Sequence, residues 1–157
     1  MILCFGHIDS VVIVGCRMSL EVFNIGLDNG IILKKNSTVL PFWLKRQFEY
    51  EPSENLEICY WRKCWGVRNA ILAMDFENEQ EILPNDGVYY LTAKDIHTIR
   101  TILRYFSHRK IWEDESNSIW SWEDFRQTLR KQRRALWWLE GYLKRNPEVV
   151  CYFYDSY

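Results

Sequence analysis

The segment from Ser121 to Pro147 constrains this chain more than any other. Ser121 is a helix N-cap residue, able to accept a hydrogen bond from an otherwise unpaired backbone N–H. Glu123 and Asp124 place negative charge in the first turn, where the helix dipole favours it. Trp122, Phe125, Leu129, Leu136, Leu139 and Leu143 fall on one face at helical spacing, and Pro147 marks the end. A long one-faced helix needs a surface to cover, and other segments supply strands. "VYYL" and "VVCYFY" read as strands, as do "VVIVG" and the alternating "LEVFNI" near the start. "GLDNG" reads as a turn, because Asp28, Asn29 and Gly30 tolerate positive φ, with "IILKK" as a hairpin partner.

Two more helices are expected. Thr92 caps one, with Asp95 three positions on as a variant capping box, and Ile96, Ile99, Leu103 and Phe106 as its apolar stripe. The other runs from about Glu57 to Met74 behind Ser53 as cap, although "LEICYW" could begin as a strand. Gly66 weakens this helix by about 1 kcal/mol relative to alanine unless something packs close to it. "PFWLKRQF" after Pro41 is a helical turn or loop, and "DFENEQEILPNDG" and "WEDESNS" read as acidic loops. The result is a single α+β domain over 1–157, with three main helices packed on a small, mostly antiparallel sheet.

Composition narrows the function classes. At 48% hydrophobic and 16% aromatic, the chain is too apolar for intrinsic disorder. A net charge of −1 gives no global pull toward nucleic acid or anionic membrane. Five cysteines (Cys4, Cys16, Cys59, Cys64, Cys151), without short paired spacing, suggest reduced thiols in a cytoplasmic protein rather than a disulfide framework. Residues 1–17 carry Asp9 and no leading basic residue, unlike a secretory signal, and lack the unbroken apolar run of a membrane span. They are expected to form a strand centred on Val11 to Val14, or else to precede a translation start at Met18.

The candidate sites are few. Three histidines and the Cys59–Cys64 spacing do not make a zinc site, no Gly-rich phosphate loop is present, and no cofactor is expected. Cys64 beside Lys63 and Arg62 could be an activated thiol, with buried structural cysteine as the plainer reading. From Phe125 to Arg145 there are seven basic residues against Glu140 alone. Arg126, Arg130, Arg133 and Arg134 share a face, and Trp137 and Trp138 continue beyond them, a pattern that suits nucleic acid. The competing expectation is that the acidic segments neutralise this face inside the fold. Residues 60–69, "YWRKCWGVRN", hold two tryptophans among cations. They are either an aromatic corner of the core against the final strand, near Tyr152 and Tyr154, or an anion or nucleotide pocket using Arg62, Arg68 and Asn69.

Several motifs together resemble a family of small uncharacterised proteins of phages and bacterial mobile elements. They are "MSLEVF" as a start, "YWRKCWGVRNAI" as the middle motif, then "VYYLTAKDI", "WSWEDF" and "CYFYDSY", spanning Met18 to Tyr157. Tyr60, Trp61, Arg62 and Lys63 match the family pattern, whereas Trp65, Arg68 and Ala70 stand where it has asparagine, histidine and tryptophan. The resemblance, the small size and the absence of a catalytic constellation together point to a non-enzymatic binding protein in the cytoplasm of a bacterial host. It would act by occupying a host protein, in an anti-defence role, with Tyr60, Trp61, Arg62, Lys63, Arg68 and Asn69 as partner-binding residues.

Overall fold

The computed structural model describes residues 28–34, 41, 43–44, 55–78, 81–83 and 86–156. The expected strands "VVIVG" and "LEVFNI", residues 1–17, the Ser53 cap and most of "PFWLKRQF" lie outside them. Five strands and four helices follow in the order β1 (Asp28–Lys34), β2 (Asn55–Arg62), α1 (Trp65–Leu72), β3 (Glu81–Leu83), β4 (Asp86–Tyr90), α2 (Ala93–Phe106), α3 (Arg109–Glu115), α4 (Trp122–Arg145) and β5 (Cys151–Ser156). The strands form one sheet in the order β2-β1-β5-β4-β3, with every neighbouring pair antiparallel. The α+β reading holds, and the sheet is antiparallel throughout its described strands.

Alternation sorts the sheet into two faces. Asn29, Ile31 and Leu33 of β1 and Cys151, Phe153 and Asp155 of β5 are buried, while Tyr152 and Tyr154 on the opposite face are only partly so. α2 and α4 pack against each other, and their buried residues join Ile31, Leu33, Leu56, Trp61 and Phe153 in one core. Both helices are capped as expected. Thr92 Oγ1 accepts from Asp95 N (3.3 Å) while Asp95 Oδ2 accepts from Thr92 N (2.7 Å), and Ser121 Oγ accepts from Asp124 N (3.1 Å). The stripes Ile96, Ile99, Leu103, Phe106 and Phe125, Leu129, Leu136, Leu139, Leu143 are all buried, and Trp122 partly so.

Four expectations are corrected. Residues 57–62 belong to strand β2, and the helix starts only at Trp65. The cause is a register shift: Ile31 pairs with Cys59 but Ile32 with Glu57, so Ile58 is an extra residue on β2. Buried positions therefore run Leu56, Ile58, Cys59, Trp61, a slipped alternation that imitates helical spacing. Asp28, Asn29 and Gly30 lie in β1 rather than in a turn. A Cβ at Gly30 would run into the Cys59 carbonyl and the Tyr154 ring, so close strand approach explains this glycine. Within the segment after Phe76, Glu81–Leu83 and Asp86–Tyr90 are the antiparallel strands β3 and β4. Finally, "WEDES" is mostly helix α3, whose Trp112 is 2% exposed and stacks on Phe125 at 3.7 Å and 11°. Gly66 meets the exception allowed for it, because its N–H donates to Ser116 O (2.8 Å) and a Cβ there would strike the Glu115 carbonyl.

Candidate functional site

The residues of "YWRKCWGVRN" do not gather around one opening. Trp61 is fully buried on β2, and its indole N–H has no partner among the described residues. Tyr60 points to the other face, donating its hydroxyl to Asp28 Oδ1 (2.8 Å). Partial burial and the Asp28 carboxylate push its pKa up to about 12. Arg62 is exposed, with Nε 3.8 Å from the same carboxylate. Lys63 is buried and holds the turn into α1 at φ 50°. Arg68 reaches the final strand: its Nε and Nη2 donate to the two carboxylate oxygens of Asp155, each at 2.7 Å. Its guanidinium also lies over the Trp65 ring at 5.7 Å. Asn69 is exposed and accepts from Arg68 Nη1 at 3.3 Å. Arg68 is thereby committed to fastening α1 to β5.

That corner is polar as well as aromatic. Asn29 lies between Trp61 and Asp155 in register, fully buried, with both amide atoms unpartnered among the described residues. Gln132 of α4 donates to Tyr60 O (3.3 Å). Cys64 Sγ lies 3.0 Å from Ser118 Oγ. Burial pushes the Cys64 pKa up to about 11 and raises those of Cys59 and Cys151, so all three are neutral thiols at pH 7 rather than activated nucleophiles. Among the described residues no group of three or more His, Cys, Asp or Glu could hold a metal ion, and no helix is long and apolar enough to cross a membrane.

The basic residues of α4 are arranged differently. Arg126, Arg130, Arg133 and Arg134 are all exposed. At 1.5 Å per residue, Arg126 to Arg145 covers about 28 Å of helix. α2 lies alongside and adds cations that the sequence of α4 alone could not reveal. A depression of about 400 Å³ holds Arg126, Arg130 and Arg133. A second, of about 390 Å³, joins Arg133 and Arg134 to His97, Arg100 and Arg104 of α2. A third, of about 210 Å³, joins Arg100 to Trp137, Gly141, Lys144 and Arg145. Arg133 lines the first two and Arg100 the last two, so the three depressions adjoin in series along the α2–α4 seam, and together they are called the groove.

The described acids do little to neutralise it. Glu77 is bound to Lys94 and Thr92, Glu113 to Arg109, and Glu115 to the Tyr105 hydroxyl. Among the described residues, no salt bridge reaches Arg104, Arg126, Arg130, Arg133 or Arg134. Arg134 instead lies over the Trp43 ring at 4.2 Å. Two described acids stand along the groove: Glu123, beside Arg126 and Arg130, and Glu140, to which Arg100 and Lys144 both bond. Burial pushes the Glu140 pKa up, but those bonds outweigh burial and hold it at about 2.

A larger cavity, about 900 Å³, borders the groove and shares His97, Glu140 and Lys144 with it. Its floor includes Leu91, Leu143 and Val149, and its rim charges Lys94 and Lys144 are bound to Glu77 and Glu140. Nothing in the sequence pointed to it, since its walls come from four separated segments.

Compared with protein-family models, curated proteins and solved structures, the chain matches none.

Proposed function

We propose that the chain binds nucleic acid along the α2–α4 groove, with Arg126, Arg130, Arg133 and Arg134 of α4 and Arg100 and Arg104 of α2 facing the phosphates. The observation that carries this reading is the convergence of these cations from two helices on one groove, where Glu140 is already bonded to Arg100 and Lys144 and Glu123 is the other described acid, beside Arg126 and Arg130. Near-neutral net charge does not oppose it, because a local field acts within a Debye length of about 8–10 Å. Among the described residues this groove is the surface whose charge favours one class of partner, so the nucleic-acid reading leads.

The test is fluorescence anisotropy with 12-nucleotide single strands and duplexes in 50 mM salt. If five phosphates are contacted on a single strand, the salt slope is about −3.5, and affinity falls about a hundredfold between 50 and 200 mM salt. Combined Arg126→Glu, Arg130→Glu and Arg133→Glu changes are expected to abolish binding with little change in melting temperature, since all three side chains are exposed. Lack of wild-type binding to any of these nucleic acids at 50 mM salt would end the proposal.

A further inference from the structure

Resting on the nucleic-acid reading, we infer that the groove takes a single strand, and that the Trp137 ring beside Gly141 is the platform on which an unpaired base stacks. Trp137 is 65% exposed, the most exposed of the large apolar side chains described. It does not serve the core, because α4 turns Leu136 and Leu139 inward on either side of it. Its neighbour Trp138 is occupied differently, stacked on Tyr142 at 5.0 Å and 19°. Trp137 thus stands at the cationic end of the groove with an open ring, in line with Arg126, Arg130 and Arg133 at helical spacing.

Gly141 supplies an independent argument. It lies inside a 24-residue helix, where glycine costs about 1 kcal/mol relative to alanine. The cost is not forced by packing, because a Cβ there would meet only the flexible Arg145 Nη1 end, at 3.5 Å. This differs from Gly30 and Gly66, whose Cβ atoms would strike backbone. What the missing side chain leaves is room one turn from the Trp137 ring, in the 210 Å³ depression edged by Arg100, Lys144 and Arg145. An aromatic face, an empty notch beside it and guanidinium groups at its edge form the arrangement that holds a flat base together with its phosphate. In a duplex the bases are already stacked and paired, so this platform would go unused. A stacked strand advances 3.4 Å per nucleotide, so the ~28 Å groove accommodates on the order of eight nucleotides.

The experiment compares three 12-mers on the full chain: a mixed-sequence single strand, its duplex, and an abasic strand with the same phosphates. The wild type is expected to prefer the single strand to both others. Trp137→Ala should weaken single-strand binding by about 5- to 150-fold, the worth of one base–aromatic stack. It should leave abasic-strand affinity and salt slope within twofold, and Trp137→Phe should restore most of the loss. Gly141→Leu should block the notch with the same selective loss, while the melting temperature stays equal or rises. The inference is overturned if Trp137→Ala leaves single-strand affinity unchanged, if it weakens the abasic strand equally, or if the duplex binds as tightly as the single strand. Those results would leave charge-dependent binding standing, whereas loss of all wild-type binding would remove the groove's function as well.

Discussion

Replacing Asp155 with alanine should destabilise the fold more than any other single polar change among the described residues. The Asp155 side chain is 1% exposed and Arg68 11%, and the two share a pair of 2.7 Å hydrogen bonds linking α1 to the central strand. Removing one partner of a buried pair typically costs about 3–5 kcal/mol, because the other charge keeps its desolvation without its counter-charge. The slight exposure of Arg68 admits some water, so about 3 kcal/mol is expected. For 157 residues at about 2.1 cal/mol/K each, the unfolding entropy is about 0.33 kcal/mol/K, and the midpoint should fall by about 9 °C. Thermal melts of wild type, Asp155→Ala, Arg68→Ala and the double Arg68→Met, Asp155→Leu give a direct reading. The double variant should recover much of the loss, because two apolar side chains leave no stranded charge. A fall of less than 2 °C for Asp155→Ala, or a double variant no more stable than the singles, would refute the reasoning.

Two further outcomes follow from the same structure. Glu140 has its pKa depressed from 4.5 to about 2 in the fold, so its contribution is present above pH 4.5 and lost as pH falls toward 2. Glu140→Gln should lower stability by roughly 2–3 kcal/mol at pH 7 and converge on the wild type near pH 2, as urea titrations across that range would show. Trp112→Ala removes the ring stacked on Phe125 and should cost about 3–5 kcal/mol, with loss of helix α3 visible as faster amide exchange over residues 109–115.

The parts legible in the sequence were those specified locally. α2 and α4 carry their caps, first-turn acids and apolar stripes within their own segments, and all of these appear in the structure. β2 imitates a helix in the sequence because the extra residue Ile58 shifts the alternation, and a bulge is visible only beside the strand it faces. α3 is polar and short, without a side-chain N-cap bond. It is held by Trp112 against a helix that begins later in the chain, so no local signal marks it. The same distinction applies to the sites. Arg126, Arg130, Arg133 and Arg134 were readable as a helix face, but Arg100 and Arg104 join them only by packing of α2 on α4. Arg68 reads as a ligand candidate from its sequence neighbours, whereas the carboxylate it bonds, Asp155, lies 87 positions away.

β5 sits in the middle of the sheet although it follows every other described element in the chain. During synthesis, β1 can meet β2 and β3 can meet β4, but among the described residues the two strand pairs have no strand between them until Cys151–Ser156 leaves the ribosome. A lone hairpin is marginal in water. A nascent chain halted before Cys151 therefore presents two open sheet edges and an uncovered apolar face, which makes it a substrate for chaperones and proteases rather than a partly working product. For this topology a premature stop anywhere upstream, even one sparing the whole basic groove, should behave as a complete loss of the protein.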